Sequence, residues 1–333
     1  MKRNYQIDNA KFLMIVLIVF GHLIEPLINS NSLLKALYMS IYSIHIPVFV
    51  ILAGMLTKVT LTQSDRIRRI QNILVPLLCF TVLYEGVAFM VSGNFSEYGK
   101  NLQPYWILWF LWSLMVWRVC LPLFMRMCFP LVISIVLSLA VGYIDMVGYT
   151  LSLSRIVYFL PFFLMGHILG FSLFRNIILV KIPRAIYLFI LVLNFAYFLK
   201  FNDLSYEWLY GSMSYTQLGE EGSYSSLIRL WFYVISFIST ISVLMLIPKQ
   251  KLKLTQLGSN SLYAYVWHGF AIKAIILLGV YGYLEPYGVV SLVIFFFIIA
   301  LFGAALLSTR LIEKLTNKII FKPVLAIIIR KNK

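Results

Sequence analysis

The chain has 333 residues, of which 61% are hydrophobic and 12% are charged, and it carries a net charge of +16. A soluble domain has about 25% charged residues, and a single core stops growing near this length, so the composition excludes a soluble globular protein. The basic excess would suit nucleic acid in a soluble protein. Here the basic residues lie in short clusters between apolar runs, so they indicate membrane topology. We expect the lipid bilayer as a partner and no nucleic acid.

The apolar runs predict an all-α integral membrane protein with about ten transmembrane helices, in a single transmembrane domain covering residues 1–333. A helix needs about 20 mostly apolar residues to span a bilayer. The predicted spans are 11–28, 37–57, 72–92, 104–125, 128–144, 155–174, 184–200, 227–247, 260–281 and 288–309. Most of the 28 Lys and Arg residues then share one side, which the positive-inside rule makes cytoplasmic. Both termini are therefore predicted to be cytoplasmic, in a multi-pass protein of the cell (plasma or inner) membrane.

The first span carries ionisable residues that a membrane helix rarely contains. They are Asp8, Lys11, His22 and Glu25 in IDNAKFLMIVLIVFGHLIEP. At 100° per residue, Lys11 and His22 share one face of the helix, and the two carboxylates flank it. Such groups are costly in a membrane, so we expect a catalytic function for them. His22 can exchange a proton near neutral pH, and Glu25 would orient it and stabilise the imidazolium.

The second span contains a histidine next to a proline, in SIHIPVFVILAG. We expect His45 at the extracytoplasmic start of this span, where it either binds an acceptor or anchors the interface. Pro47 permits a bend and Gly54 a close helix approach.

An arginine pair precedes the third span, in RIRRIQNILVP. Arg66 and Arg69 are three residues apart, which places them on one face of a helix. Such a pair suits the phosphates of a ligand that arrives from the cytosol. Ordinary positive-inside charge also explains basic residues there, but not their spacing.

Three later residues have polar side chains at unusual positions. Arg155 begins the sixth span on the extracytoplasmic side, where an anionic acceptor, an acidic partner or snorkelling would explain it. His167 is expected to be structural, whereas His268 lies in the middle of the ninth span and fits either packing or chemistry. The three cysteines have no metal-ligand spacing, so we expect no metal site and no disulfide.

The longest extracytoplasmic connection covers residues 201–226 and is rich in Tyr, Ser and Gly. Its aromatic residues include Trp208, Tyr210, Tyr215 and Tyr224. Aromatic faces with polar neighbours suit sugar rings, and they equally suit an interfacial aromatic belt on a flexible connector.

Taken in order, these segments resemble the acyltransferase-3 family of membrane O-acyltransferases, especially the fucose 4-O-acetylase-like branch. The resemblance rests on IDNAKFLMIVLIVFGHL, IHIPVFVILAG, RIRRIQNILVP, YWILWFLWSL, YFLPFFLMGHILG and LGSNSLYAYVWH. Lys11 and His22 fit the family pattern of Arg or Lys, ten residues and His, and Arg66 and Arg69 fit its Arg-x-x-Arg motif. Many members have Arg where this chain has Lys11, and an amine cannot make the bidentate contacts of a guanidinium.

The resemblance implies a ten-helix bundle that takes acyl-CoA from the cytoplasm and a sugar hydroxyl from the outer side. The resemblance thus implies an O-acetyltransferase that uses acetyl-CoA as donor and a cell-surface glycan or lipid-linked sugar as acceptor. Arg66 and Arg69 would hold the CoA phosphates. His22 would act as general base or carry the acetyl group itself, with Lys11 among the candidate oxyanion donors.

The acceptor-side candidates are His45, Arg155 and His268.

Two other functions stay open at this point. One is a transporter or flippase of a polysaccharide precursor, which the absence of an internal repeat disfavours. The other is a non-catalytic membrane sensor or scaffold. Assembly into a homo-oligomer is also left open.

Overall fold

The computed structural model describes residues 4–59, 63–179 and 182–328, and that part of the chain is helical without any strand. The α-helices are α1 (Tyr5–Ile24), α2 (Ser32–Tyr42), α3 (His45–Met55), α4 (Gln63–Ser92), α5 (Glu97–Lys100), α6 (Trp109–Phe124), α7 (Pro130–Ala140), α8 (Leu153–Leu179), α9 (Arg184–Lys200), α10 (Ser225–Leu246), α11 (Thr255–Ser259), α12 (Ser261–Leu277), α13 (Val280–Leu284), α14 (Gly288–Leu307), α15 (Arg310–Thr316) and α16 (Lys322–Ile328). Short 3-10 turns cover Glu25–Leu27, Trp106–Leu108, Val141–Tyr143, Thr150–Ser152, Tyr206–Leu209 and Glu285–Tyr287, and a π-helical turn covers Asn317–Phe321.

Within the described residues, seven helical segments are long and apolar enough to cross a membrane. They are Tyr5–Leu27, Ser32–Met55, Gln71–Ser92, Trp106–Phe124, Thr150–Gly170, Ser225–Leu246 and Gly288–Leu307. The other three predicted spans correspond to the shorter helices α7, α9 and α12. An all-α membrane protein is therefore confirmed. Ten spans, cytoplasmic termini and a single domain stay predictions.

The chain divides into two compact units, and the first consists of Met1–Leu52, Leu169–Tyr210 and Leu227–Thr309. Helix α1 lies at its centre and contacts α2, α11, α12 and α14. Most of its side chains are buried, as expected for a helix that is apolar on every side. The Asn4 side chain caps its N-terminus by accepting from the backbone N–H groups of Gln6 and Ile7. At the other end, the chain tightens into a 3-10 turn that contains Pro26.

The second span is broken in the middle, and this corrects the predicted position of His45. The span begins at Ser32, where Asn31 caps α2, and it is interrupted after Tyr42. His45 thus begins α3 inside the span, with 1% of its surface exposed, and not at the extracytoplasmic start. The break is not visible in hydropathy because both sides of it are apolar. At the break, the side-chain amide of the buried Asn194, in α9, donates a hydrogen bond to the hydroxyl of Ser43 at 3.1 Å.

The second unit consists of Ala53–Ile168, Gly211–Ser226 and Arg310–Lys333. Its helices pack through aromatic side chains, and Trp117 stacks on Phe163 while its indole N–H donates to the carbonyl of Ile156 at 2.8 Å. A Cβ at Gly54 would overlap the Phe163 carbonyl, so the close helix approach predicted at Gly54 is confirmed.

The residues after the last predicted span also belong to this unit. Residues 310–328 are helical, and the ring of Phe321 packs against Phe80.

Candidate active site

The end of α1 places a histidine against a carboxylate. Nδ1 of His22 lies 2.8 Å from Oε2 of Glu25, three residues later. The His22 side chain is 14% exposed and that of Glu25 is 35% exposed, so both are partly buried and still accessible. A carboxylate accepts hydrogen bonds and does not donate them, so the proton of the neutral ring lies on Nδ1 and the lone pair on Nε2. The pair therefore has the arrangement of a general base with its orienting acid.

Four tyrosines surround this pair, and we call Tyr38, Tyr42, Tyr206 and Tyr210 the tyrosine cluster. The hydroxyls of Tyr38 and Tyr210 lie 2.6 Å apart, and both also interact with the Glu25 carboxylate. The hydroxyl of Tyr42 is 3.4 Å from Nδ1 of His22, and its ring stacks on that of Tyr38 at 4.1 Å. Tyr206 meets Tyr38 edge to face at 5.8 Å.

Sequence reasoning missed most of this cluster. It singled out Tyr210 in the extracytoplasmic connection, but it did not consider Tyr38, Tyr42 or Tyr206. The four-residue spacing of Tyr38 and Tyr42, which puts both on one face of α2, was the available signal.

The backbone at the end of α1 is fixed from a neighbouring element. The Tyr281 hydroxyl, in α13, donates to the Leu23 carbonyl at 2.9 Å. This bond holds the last turn of α1, from which His22 and Glu25 extend.

The acceptor-side candidate His268 lies beside His22. Their rings are nearly parallel, with centroids 5.7 Å apart. His268 is fully buried in α12, and its Nδ1 lies 2.6 Å and 3.2 Å from the carbonyls of Tyr265 and Ala264. The structure thus brings together His22, Glu25 and His268.

His45 lies next to the same tyrosines. Its ring meets Tyr42 edge to face at 4.6 Å, and its Nδ1 lies 2.7 Å from the carbonyl of Ile41. The buried ring packs behind the tyrosine cluster. Its assignment to the acceptor side stays a prediction.

Asp8 and Lys11 lie at the opposite end of α1 from His22. At about 1.5 Å per residue, Lys11 is about 16 Å from His22 along the helix axis, too far for its ammonium to contact a group on that ring. Asp8 is buried, and a Cβ at Gly258 of α11 would overlap its carbonyl. The four ionisable residues of the first span therefore do not form one reacting cluster, and roles for Asp8 and Lys11 stay predictions at that end.

The predicted donor pair begins the third span. Arg66 and Arg69 lie in the first turns of α4, and their side chains fall outside the described part of the structure. Their assignment to CoA phosphates stays a prediction.

Two further predicted residues lie in the second unit. The guanidinium of Arg155 lies 5.0 Å from the ring centroid of Trp109 and 5.2 Å from that of Tyr149. These cation–π contacts hold it in the first turn of α8. Nδ1 of His167 lies 2.9 Å from the Thr57 carbonyl, which fits the structural role expected for this histidine.

The aromatic residues of the 201–226 connection have different environments. Trp208 is buried and its ring stacks parallel to Phe232. Tyr215 is also buried, and its hydroxyl donates to the Leu139 carbonyl, whereas Tyr224 is 57% exposed. Much of the connection is therefore packed, and it contributes Tyr206 and Tyr210 to the tyrosine cluster.

Sequence reasoning also missed a buried cation. Arg229, near the start of α10, is 1% exposed. A basic residue at the extracytoplasmic end of a predicted span is the same signal that drew attention to Arg155.

Comparison with known proteins assigns the chain to a family. A family model described as an acyltransferase domain matches residues 4–309. The chain is also similar to Nodulation protein NolL of Sinorhizobium fredii (strain NBRC 101917 / NGR234), with 27% identity over 177 residues, which are 49% of this chain and 48% of that protein. The match thus spans about half the length of this curated relative. No solved structure matches the chain.

Proposed function

Because this chain belongs to the acyltransferase family whose domain model covers residues 4–309, and is therefore a membrane acyltransferase, we propose that it is an O-acetyltransferase. Its donor is acetyl-CoA from the cytoplasm. Its acceptor is a hydroxyl of a cell-surface glycan, of the capsule, exopolysaccharide or O-antigen type, or of its lipid-linked precursor. The protein acts in the cell membrane.

The observation that carries this proposal is the hydrogen bond between His22 and Glu25 at the end of a membrane helix. Acyl transfer to a hydroxyl needs a group that removes the hydroxyl proton or that carries the acyl group. With Nδ1 bonded to the carboxylate, Nε2 of His22 can do either. Glu25 stabilises the positive charge that the ring acquires in both cases.

The tyrosine cluster supports an acceptor site that is aromatic and polar. The rings of Tyr38, Tyr42, Tyr206 and Tyr210 offer faces for a sugar, and their hydroxyls donate and accept hydrogen bonds. Phenol hydroxyls close to the reacting centre are also suitable donors for the oxyanion of an acyl-transfer intermediate.

The donor side is assigned from charge and position. Arg66 and Arg69 stand at the start of α4, on the side that the positive-inside rule makes cytoplasmic. We propose that they bind the phosphates of CoA, and that His22 receives the acetyl group or activates its acceptor.

Two measurements test the proposal. The purified full-length protein is incubated with acetyl-labelled acetyl-CoA and the glycan fraction of a deletion strain, and label in the glycan is counted. In parallel, mass spectrometry compares the acetyl content of surface glycan from the parent and deletion strains. We expect label transfer and a deletion strain that lacks one type of O-acetyl group.

A transporter gives a different result in the same measurements. A flippase would transfer no label, and its deletion would cause lipid-linked precursor to accumulate with unchanged acetylation. Unlabelled glycan together with a normal acetyl pattern would therefore contradict the acetyltransferase.

A further inference from the structure

His268 has a hydrogen-bonding atom that the fold does not use. Its Nδ1 is held by the carbonyls of Tyr265 and Ala264. Carbonyl oxygens only accept, so Nδ1 carries the proton and Nε2 has the lone pair. Nε2 is buried and has no hydrogen-bond partner within residues 4–59, 63–179 and 182–328. A buried acceptor without a donor is unfavourable, so this atom points to a group that is bound during function.

The position of the His268 ring identifies that group. The ring centroids of His22 and His268 lie 5.7 Å apart, with 26° between the ring planes. The two imidazoles are therefore neighbours, and a substrate group bound at His22 is next to the His268 ring. The lone pair of Nε2 needs a donor, and the donor that an acyl acceptor brings to this place is its hydroxyl.

We propose that His268 is a second base, and that its Nε2 takes the proton of the acceptor hydroxyl while His22 carries the acetyl group. This inference rests on the proposed function and decides between its two routes. In the first step, Nε2 of His22 bonds to the acetyl carbon, the C–S bond breaks, and CoA leaves as the thiolate. In the second step, the acceptor oxygen bonds to the acetyl carbon and the bond to His22 breaks. The hydroxyl proton goes to Nε2 of His268, which later returns it to solvent or the thiolate.

The chemical reason for a second base is that an acetylated imidazole has lost the lone pair with which it would take a proton. His22 cannot deprotonate the acceptor while it carries the acetyl group. Glu25 is bonded to the Nδ1 proton of the same ring, where it balances the charge of the acyl-imidazolium. His268 is a further imidazole beside His22, and its Nε2 is buried and not used in the hydrogen bonds to its own helix.

The test separates the two half-reactions in the purified full-length protein. Exchange of labelled CoA into acetyl-CoA without acceptor reports the first step, and acetyl transfer to glycan reports the second. His268→Asn keeps a side-chain N–H where Nδ1 donates to the backbone and removes Nε2. We expect unchanged CoA exchange and a loss of transfer of about 100-fold, the lower range for a positioned base. His22→Ala should lose both reactions.

His167→Asn is the matched control, because Nδ1 of His167 also bonds to a backbone carbonyl, that of Thr57. It should leave both reactions intact. If His268→Asn fails to insert into the membrane, His268→Gln replaces it in the test. An amide cannot take up a proton at neutral pH, so we again expect unchanged CoA exchange and a loss of transfer.

Three results would overturn the second base. They are normal transfer by His268→Asn, an equal loss of exchange and transfer in inserted protein, and the absence of CoA exchange in a wild-type protein that transfers acetyl. Failure of the proposed function looks different, because the wild-type protein would then show neither reaction.

Discussion

The two ends of α1 both bury polar side chains, but they bond them to different kinds of partner. At the first end, the Asn9 amide donates to the carbonyls of Pro248 and Gln250 at 2.8 and 3.0 Å, and its oxygen accepts from the Thr255 hydroxyl. At the other end, His22 bonds to the Glu25 carboxylate among tyrosine hydroxyls.

This difference separates a structural polar group from a chemical one. The Asn9 amide uses its nitrogen to hold two backbone carbonyls and its oxygen to hold the Thr255 hydroxyl in the 248–255 segment, so it fixes tertiary structure. The His22 ring is held through Nδ1 by a side chain that can balance a positive charge. The nature of the partner, more than burial, is therefore the reason for proposing that the His22 end of the helix carries the reaction.

The largest effect short of removing the histidine is expected from its carboxylate. Glu25→Gln keeps the shape and one hydrogen bond but removes the charge that stabilises the imidazolium. We expect kcat to fall about 100-fold, the low end of what a positioned acid–base group contributes, with little change in substrate binding.

Glu97→Gln is the control for this variant, because Glu97 also pairs with a cation three residues away, Lys100, but is 76% exposed. Exposed pairs contribute little, so its kinetics should match those of the wild-type protein. Equal kcat values for the two variants would remove Glu25 from the mechanism.

The arginine pair tests whether the donor binds at the cytoplasmic side. Charge-assisted hydrogen bonds contribute roughly 1.5–3 kcal/mol each, so Arg66→Ala or Arg69→Ala should weaken acetyl-CoA binding about tenfold to hundredfold. The loss should diminish in high salt. Binding of labelled acetyl-CoA to purified protein measures it.

Arg68→Ala is the matched control, because Arg68 lies between the pair, is exposed, and has the same effect on net charge. It should bind acetyl-CoA normally. Equal losses in all three variants would mean that the pair contributes only general positive charge.

The structural end of α1 should respond in stability and not in catalysis. Asn9→Leu leaves the carbonyls of Pro248 and Gln250 and the hydroxyl of Thr255 without this partner. We expect a loss of about 1–3 kcal/mol in the free energy of unfolding, with unchanged acetyl transfer per folded molecule. Thermal unfolding of the purified protein together with its specific activity checks this, and an inactive variant with a normal melting temperature would contradict it.

The smallest effect is expected from one hydroxyl of the tyrosine cluster. Tyr210→Phe removes an interaction with Glu25, but the Tyr38 hydroxyl still contacts that carboxylate. Acetyl transfer should slow by about threefold to tenfold, equivalent to one neutral hydrogen bond. Tyr224→Phe, at an exposed position, should have no effect, and the same rate for both variants would exclude the Tyr210 hydroxyl from the site.

The sequence predicted the helices and the His22–Glu25 pair, because both follow from local periodicity. The three-residue spacing alone places Glu25 next to His22. The break at Ser43 was not visible, since both sides of it are apolar and the Asn194 side chain that bonds to Ser43 comes from a helix far along the chain. The proximity of the His22 and His268 rings could not be predicted either, because residues 246 positions apart meet only through the packing of α1 on α12.

The role of His22 is tested by the acetyl content of glycan per inserted protein molecule in a deletion strain that expresses His22→Ala. In the proposed function, the ring is a reactant and not a packing requirement. We therefore expect a normal amount of membrane-inserted protein and acetylation at the level of the deletion strain. Normal acetylation per inserted molecule would contradict the claim that His22 carries the chemistry.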